Sequence, residues 1–163
     1  MIACAGPVRR SLGRAESQWE SLKLPVAFGR ARMVMPGVLA IQSPVWTSEA
    51  SQTQELQDLA AALQNWTARE QWPWISLVDD VDFVAENLQN WLWVTFTRAN
   101  PSHDISGVNA RIEHKHWGAE APLLCDARIK AHHAKPLVED GAVTTQVDAW
   151  FAPNGPLASQ HKK

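Results

Sequence analysis

Arg98, Asn100, His103 and Asp104 crowd the short stretch TFTRANPSHDISG. Arginine offers a planar fork of donors that matches a carboxylate or phosphate, and histidine can carry a proton near neutral pH. Asp104 could orient His103 or pair with Arg98. The apolar, β-rich run Leu92–Thr97 just before them predicts a buried strand. In an open α/β sheet, ligands bind beyond the carboxyl ends of the strands, so this loop stands where a site would form. The same residues equally describe an Arg98–Asp104 ion pair that pins the loop and leaves His103 exposed.

Other clusters carry weaker signals. His114 and His116 alternate in EHKHWG and would share one face of a strand, and His132 with His133 could complete a transition-metal set. No spacing among them matches a metal motif, and no metal ligand is assigned. Lys115 and Lys130 read either as anion contacts or as solvated lysines. Asp79, Asp80, Asp82 and Glu86 could attract a hard cation, yet no glycine bends the run as a calcium loop requires. A capped helix start accounts for them better. Neither a nucleophile elbow, a Cys–His arrangement, a dinucleotide fingerprint nor a Walker loop occurs, so no residue is assigned as catalytic.

The elements that must position these groups follow an α/β rhythm. Val38–Ile41 reads as a strand after a Pro–Gly break and before Pro44. Leu56, Leu59, Ala60, Leu63 and Trp66 fall at helical spacing, with Thr47 or Ser48 as cap. Trp74, Ile75, Leu77 and Val78 form a short strand. Val81, Val84, Leu88 and Trp91 then share a helical face that Asp80 or Asp82 would cap. GVNARIEHKHWG stays open between strand and loop, APLLCDARIK is a strand leading to a loop, and TTQVDAWF is a short helix. The fold class expected is α/β, one domain with a mixed sheet flanked by helices. Residues 1–32 read as an N-terminal extension, with a short helix ending before Pro25, residues 33–152 as the domain, and residues 153–163 as a flexible tail.

Composition narrows the partners. The chain has 163 residues, 45% of them hydrophobic, enough for one sizeable core. Its net charge is −2 and its charges are scattered, which opposes a nucleic-acid surface. No apolar run approaches the ~18 residues of a membrane span, and the N-terminus lacks a signal-peptide pattern. Cys4 and Cys125 read as free thiols, one bridge between them staying open, in a protein expected to be cytoplasmic. Nine tryptophans accompany no tyrosine. Several of them are expected to lie against a partner chain, since tryptophan is enriched at interfaces.

Three blocks carry a family resemblance: MPGVLAI, then VDDVDFVAENLQNWLWVTFTRANPSHDI over residues 78–105, then KHWGAEAPLLCDARIKAHHAKPL over residues 115–137. Together they resemble the C-terminal domain of UbiD-like decarboxylases, over about residues 33–140. That family uses prenylated FMN to add or remove carboxylates on aromatic and α,β-unsaturated acids. The resemblance implies a domain that packs over a flavin-binding domain, closes on the active site and contributes to oligomer contacts. The family's flavin site and its glutamate–arginine–glutamate set lie in a preceding domain, which has no counterpart in this sequence, so none of those roles is carried over. Prenylated FMN would be bound mainly by a partner subunit and not by this chain alone, with Arg98, Lys115 and Lys130 as candidate contacts. Asn100, His103, Asp104, Asp126 and Arg128 would form a substrate or interface loop. The function implied is the small subunit of a multi-subunit (de)carboxylase acting on an aromatic acid or phenol-like compound. Its partner would be a larger UbiD-like subunit in a hetero-oligomer, without nucleic acid or membrane. The alternative is a non-catalytic structural or regulatory module that binds a full-length enzyme; a third reading is a stand-alone enzyme or small-anion binder.

Overall fold

A computed structural model describes residues 6–8, 10–135 and 138–160. Cys4 and the Pro136–Leu137 end of the third block lie outside the described residues, as does the last part of the expected tail. The chain divides into two units, residues 1–133 and 134–163.

The first unit begins with a hairpin, β1 (Ala31–Met35) and β2 (Val38–Gln42). Pro36 and Gly37 form its two-residue turn, and Gly37 takes φ +80°, the left-handed conformation a type II turn requires. Helix α1 (Glu49–Gln64) follows, then strand β3 (Trp74–Val78). Two helices, α2 (Val81–Glu86) and α3 (Leu88–Arg98), precede a single turn, α4 (Pro101–Asp104). A long hairpin, β4 (Ile105–Glu113) and β5 (His116–Asp126), completes a five-stranded sheet of order β1-β2-β3-β5-β4. The β2–β3 and β3–β5 pairs are parallel and the outer pairs antiparallel, so the sheet is mixed, as expected for the α/β class.

Alternation along the central strands sends side chains to two cores. Leu39, Ile41, Ile75, Leu77 and Leu124 meet Leu56, Leu59 and Leu63 of α1 on one face. Val38, Ala40 and Val78 meet Val81 and Val84 of α2 and Trp91 and Val94 of α3 on the other. The region before β1 packs into the first core: Phe28 is buried and Trp19 stands edge-on to the buried Trp72, ring centroids 5.1 Å apart. A side chain on Gly13 would collide with the Trp72 ring. The helix expected before Pro25 is reduced to a 3-10 turn at Glu16–Gln18.

Three local expectations are corrected. The run Leu92–Thr97 is not a strand but the second half of α3. Its residue types favour β structure, but Trp91, Val94 and Thr95 are buried at helical spacing, and Asn87 caps the start by accepting from the Asn90 amide at 2.9 Å. The same Asn87, at φ −157° and ψ 165°, splits the expected helix from Val81 to Trp91 into α2 and α3. His114 and His116 do not alternate along one strand. His114 and Lys115, at φ 49° and 68°, form the two-residue turn of the β4–β5 hairpin, whose flanking pair is Glu113 and His116.

In the second unit, helix α5 (Gly141–Phe151) covers the expected TTQVDAWF helix. Asp140 caps it, accepting from the Ala142 amide at 2.9 Å.

Candidate functional site

Because β2, β3 and β5 run parallel, Gln42, Val78 and Asp126 end at one edge of the sheet. The polar residues that follow these ends converge there, and most of them are buried.

Asp126 and Arg128 form the centre. The Arg128 guanidinium is fully buried and grips Asp126 with both arms, Nε to Oδ1 at 2.9 Å and Nη2 to Oδ2 at 2.7 Å. Its third nitrogen, Nη1, donates to Glu55 of α1 at 2.6 Å and to the Pro44 carbonyl at 2.9 Å. Burial alone would weaken its hold on the proton, but the Asp126 and Glu55 carboxylates outweigh that and push its pKa above the ordinary value.

Lys130 lies beside this pair and is equally committed. Its Nζ donates to the Asp126 carbonyl at 2.9 Å and sits 3.4 Å from the Asp104 carboxylate. Asp104, also buried, accepts from the Asn100 amide at 2.7 Å and from Gln52 Nε2 at 2.8 Å. Gln52 in turn accepts from the Trp46 indole N–H at 2.7 Å. A relay therefore runs Trp46, Gln52, Asp104, Lys130, Asp126, Arg128, Glu55, stapling α1 to the ends of β2 and β5. Cys125, inside this field, has its thiol pushed up to about 12, by burial first and then by Asp104 and Asp126.

A cavity of about 280 Å³ opens over one end of the relay, lined by Trp46, Glu49, Gln52, His103, Asp104 and Lys130 among others. His103 accepts or donates at Nδ1 with Ser102 Oγ at 2.7 Å rather than with Asp104. Nor does Arg98 pair with Asp104: its Nη1 donates to Asp79 at 3.1 Å, and Asp79 also accepts from the Ile129 amide at 2.8 Å. This contact ties the end of α3 to the end of β3 and to the segment after β5. The rest of the acidic run behaves as a helix start. Asp80 caps α2 by accepting from the Asp82 and Phe83 amides, both at 3.0 Å, and Asp82 pairs with Arg30 and Arg32.

Of the residues singled out in the sequence, Asn100, His103, Asp104, Asp126, Arg128 and Lys130 are brought together, and Arg98 joins their edge through Asp79. Lys115 stands apart at the hairpin turn. Among the described residues, no group of three or more metal-ligating side chains comes together. His132 and His133 stack edge-on, and His133 is held by the Lys130 amide, which donates to its Nδ1 at 3.1 Å. The residues missed were Trp46, Glu49, Gln52 and Glu55. Gln52 carried a readable signal, since it occupies the buried face of α1 in register with Leu56, Leu59 and Leu63.

The opposite side of the α2–α3 layer is apolar. Phe83, Leu88, Leu92, Trp93 and Phe96 are exposed there, Trp93 at 65% and Phe96 at 67%. Among the described residues no helix is long and apolar enough to cross a membrane.

No family model matches the chain. Over 87 residues, 51% of the chain, it is 30% identical to an uncharacterized protein of Chlamydia muridarum. Over 82 residues, 50% of the chain, it is 27% identical to one of the subunits of 4-hydroxybenzoate decarboxylase from Chlamydia pneumoniae. The matched regions span only 15% and 14% of those two proteins. A structure of vanillic acid decarboxylase from Sedimentibacter hydroxybenzoicus in open form is matched over 80% of this chain and 29% of that one, at 14% identity and a TM-score of 0.45. A second open-form structure of that enzyme gives 16% identity and a TM-score of 0.41. In sequence, then, about half of this chain is similar to a small part of a decarboxylase subunit.

Proposed function

We propose that this chain is the small, non-catalytic subunit of a UbiD-like (de)carboxylase acting on an aromatic acid or phenol-like compound. Its role is to dock on a larger subunit and present the edge around Asn100 and His103 to that subunit's active site. The observation that carries this reading is the similarity of about half the chain to part of a decarboxylase subunit. A polar edge whose charges already satisfy one another supports it.

That pairing bears on the flavin. A flavin phosphate needs donors that are not already spoken for. Arg128 and Lys130 are buried and bonded within the chain, Arg98 is held by Asp79, and Lys115 lies at the far hairpin turn. These candidates do not form a phosphate cradle, and in this reading prenylated FMN belongs to the larger subunit. The exposed face of Leu88, Leu92, Trp93 and Phe96 is the surface through which this chain would dock. Burying such aromatic groups supplies the central contacts of a stable interface.

Co-purification tests the proposal. Tagged protein drawn from its native host should bring down a larger decarboxylase-like chain whose eluate shows flavin absorbance. Recovery of the tagged chain alone, colourless and monomeric, sinks it and leaves an independent module.

A further inference from the structure

The β4–β5 hairpin outgrows the sheet that carries it. β5 meets β3 from Leu123 onward, so residues 109–120 form a ribbon of two strands beyond the sheet. Every residue from Asn109 to Trp117 is exposed. Such a ribbon is marginal in water until something covers one of its faces. The register shows which face that is. After the bulge at Asn109, φ +50°, Ala110, Ile112, Trp117 and Ala119 share one side. Arg111, Glu113 and His116 take the other, where Arg111 and Glu113 pair at 3.3 Å. Ile112 and Trp117 stand directly opposite each other in the ladder, 74% and 48% exposed. The row nearer the sheet is small: Ala110 and Ala119 form it, and a side chain added at Gly107 would meet Ala119 Cβ at 2.7 Å.

A large row beside a small row is self-complementary under a two-fold axis. Turned about an axis that crosses the strands between the two rows, a second arm runs antiparallel to the first. Ile112 then lies on the other copy's Ala110, and Trp117 on its Ala119. Each large pair fills the space left by a small pair, and the Arg111–Glu113 face stays in water, so no charge is buried. We infer that the arms of two copies of this chain stack in this way, forming a homodimer through Ala110, Ile112, Trp117 and Ala119. Four side chains cover far less than the ~800 Å² per partner of a standard interface, so the dimer is a weak one that depends on concentration. The α3 face plays no part in it.

Sedimentation velocity of the purified full chain, from about 10 μM to about 1 mM, covers the range in which so small a contact forms. A monomer–dimer equilibrium is expected. Ile112→Thr combined with Trp117→Thr, exposed changes that keep strand-favouring side chains, should weaken it about tenfold or more. Ala110→Leu separates the interlock from general stickiness. It adds apolar area, so unspecific association would tighten. The stack should instead weaken about fivefold or more, because the other copy's Ile112 loses its space. In a mixture of isotope-labelled and unlabelled chains, filtered NOEs should join the Ile112 methyls of one copy to the Ala110 methyl of the other. A monomer at every concentration, a dimer indifferent to the double substitution, tighter association of Ala110→Leu, or NOEs joining Ile112 to Ile112 instead overturns the inference. The purified chain is used alone, so none of these outcomes touches the co-purification result.

Discussion

Two regions of the first unit treat their surroundings in opposite ways. At the carboxyl edge of the sheet, charged groups are buried and fully paired: Arg128 and Asp126 are wholly inaccessible and every arm of the guanidinium is engaged. On the outer face of α3, large apolar groups are left in water, with Trp93, Phe96, Leu88 and Leu92 all exposed. Each inverts the usual rule that charge stays outside and grease inside. The difference teaches where to look for stability and where to look for partners. The edge is a completed structural device that fixes the loops after β2 and β5. The α3 face is a surface whose apolar area gains nothing until something covers it.

The largest effect should come from breaking the edge. Arg128→Met removes the partner of Asp126 and Glu55 while keeping much of the side-chain volume. Leaving buried carboxylates uncompensated typically costs about 3–5 kcal/mol, so urea unfolding should shift by that amount. A loss below about 1 kcal/mol would mean that water reaches Asp126 and that the edge is not closed.

The next effect belongs to the opposite region and concerns binding rather than folding. Trp93→Ser should leave stability within about 0.5 kcal/mol, as surface changes do, whereas Phe96→Ser also removes an edge-on contact with the buried Trp91 and should cost about 0.5–1.5 kcal/mol. Recovery of the proposed larger subunit in the co-purification should nevertheless collapse, because an aromatic anchor at an interface is worth about 2 kcal/mol or more. Normal recovery with both changes present would place the docking surface elsewhere.

Much of this contrast was legible in the sequence, and the failures have physical causes. The β2, α1 and β3 elements followed from periodicity and breakers, because their buried faces are regular. Of the edge residues, Asp104 and Lys130 stood out as types, while Asp126 and Arg128 entered only through the family resemblance. Their partners were not legible, since pairing Arg128 with Glu55 depends on how α1 lies across the sheet, 73 positions away. Arg98 was drawn toward Asp104, close in sequence, whereas the fold gives it Asp79 from the end of β3. The run Leu92–Thr97 was misread because its outer face is apolar too. With Leu92, Trp93 and Phe96 exposed and Val94 and Thr95 buried, no polar stripe marks the helical period. The residues that concealed the helix are the ones proposed to meet a partner.

A smaller effect tests whether the α2–α3 layer that carries the exposed face is rigidly mounted. Asp80 accepts from two amides at the start of α2, so Asp80→Ala should cost about 1 kcal/mol of stability. Thermal unfolding measures it, and an unchanged midpoint would show that packing of Val81 and Val84 holds the helix without its cap.

The smallest effect is a pH dependence at the border of the edge region. His133 has its pKa lowered from 6.5, first by burial and then by the charges of His132 and Lys130. The Lys130 amide donates to its Nδ1, so the neutral ring with its proton on Nε2 is the form the fold holds. The unfolded chain binds this proton more readily than the folded one. The stabilisation is therefore complete above the unfolded value near 6.5 and is lost as pH falls through the depressed folded value. His133→Gln, which keeps a hydrogen-bonding side chain but cannot titrate, should flatten the decline of stability just below pH 6.5 without altering it at pH 8. Parallel declines in the two proteins would assign that acid sensitivity to the carboxylates of the edge, and would mean that the Lys130–His133 contact plays no part in holding the loop after β5.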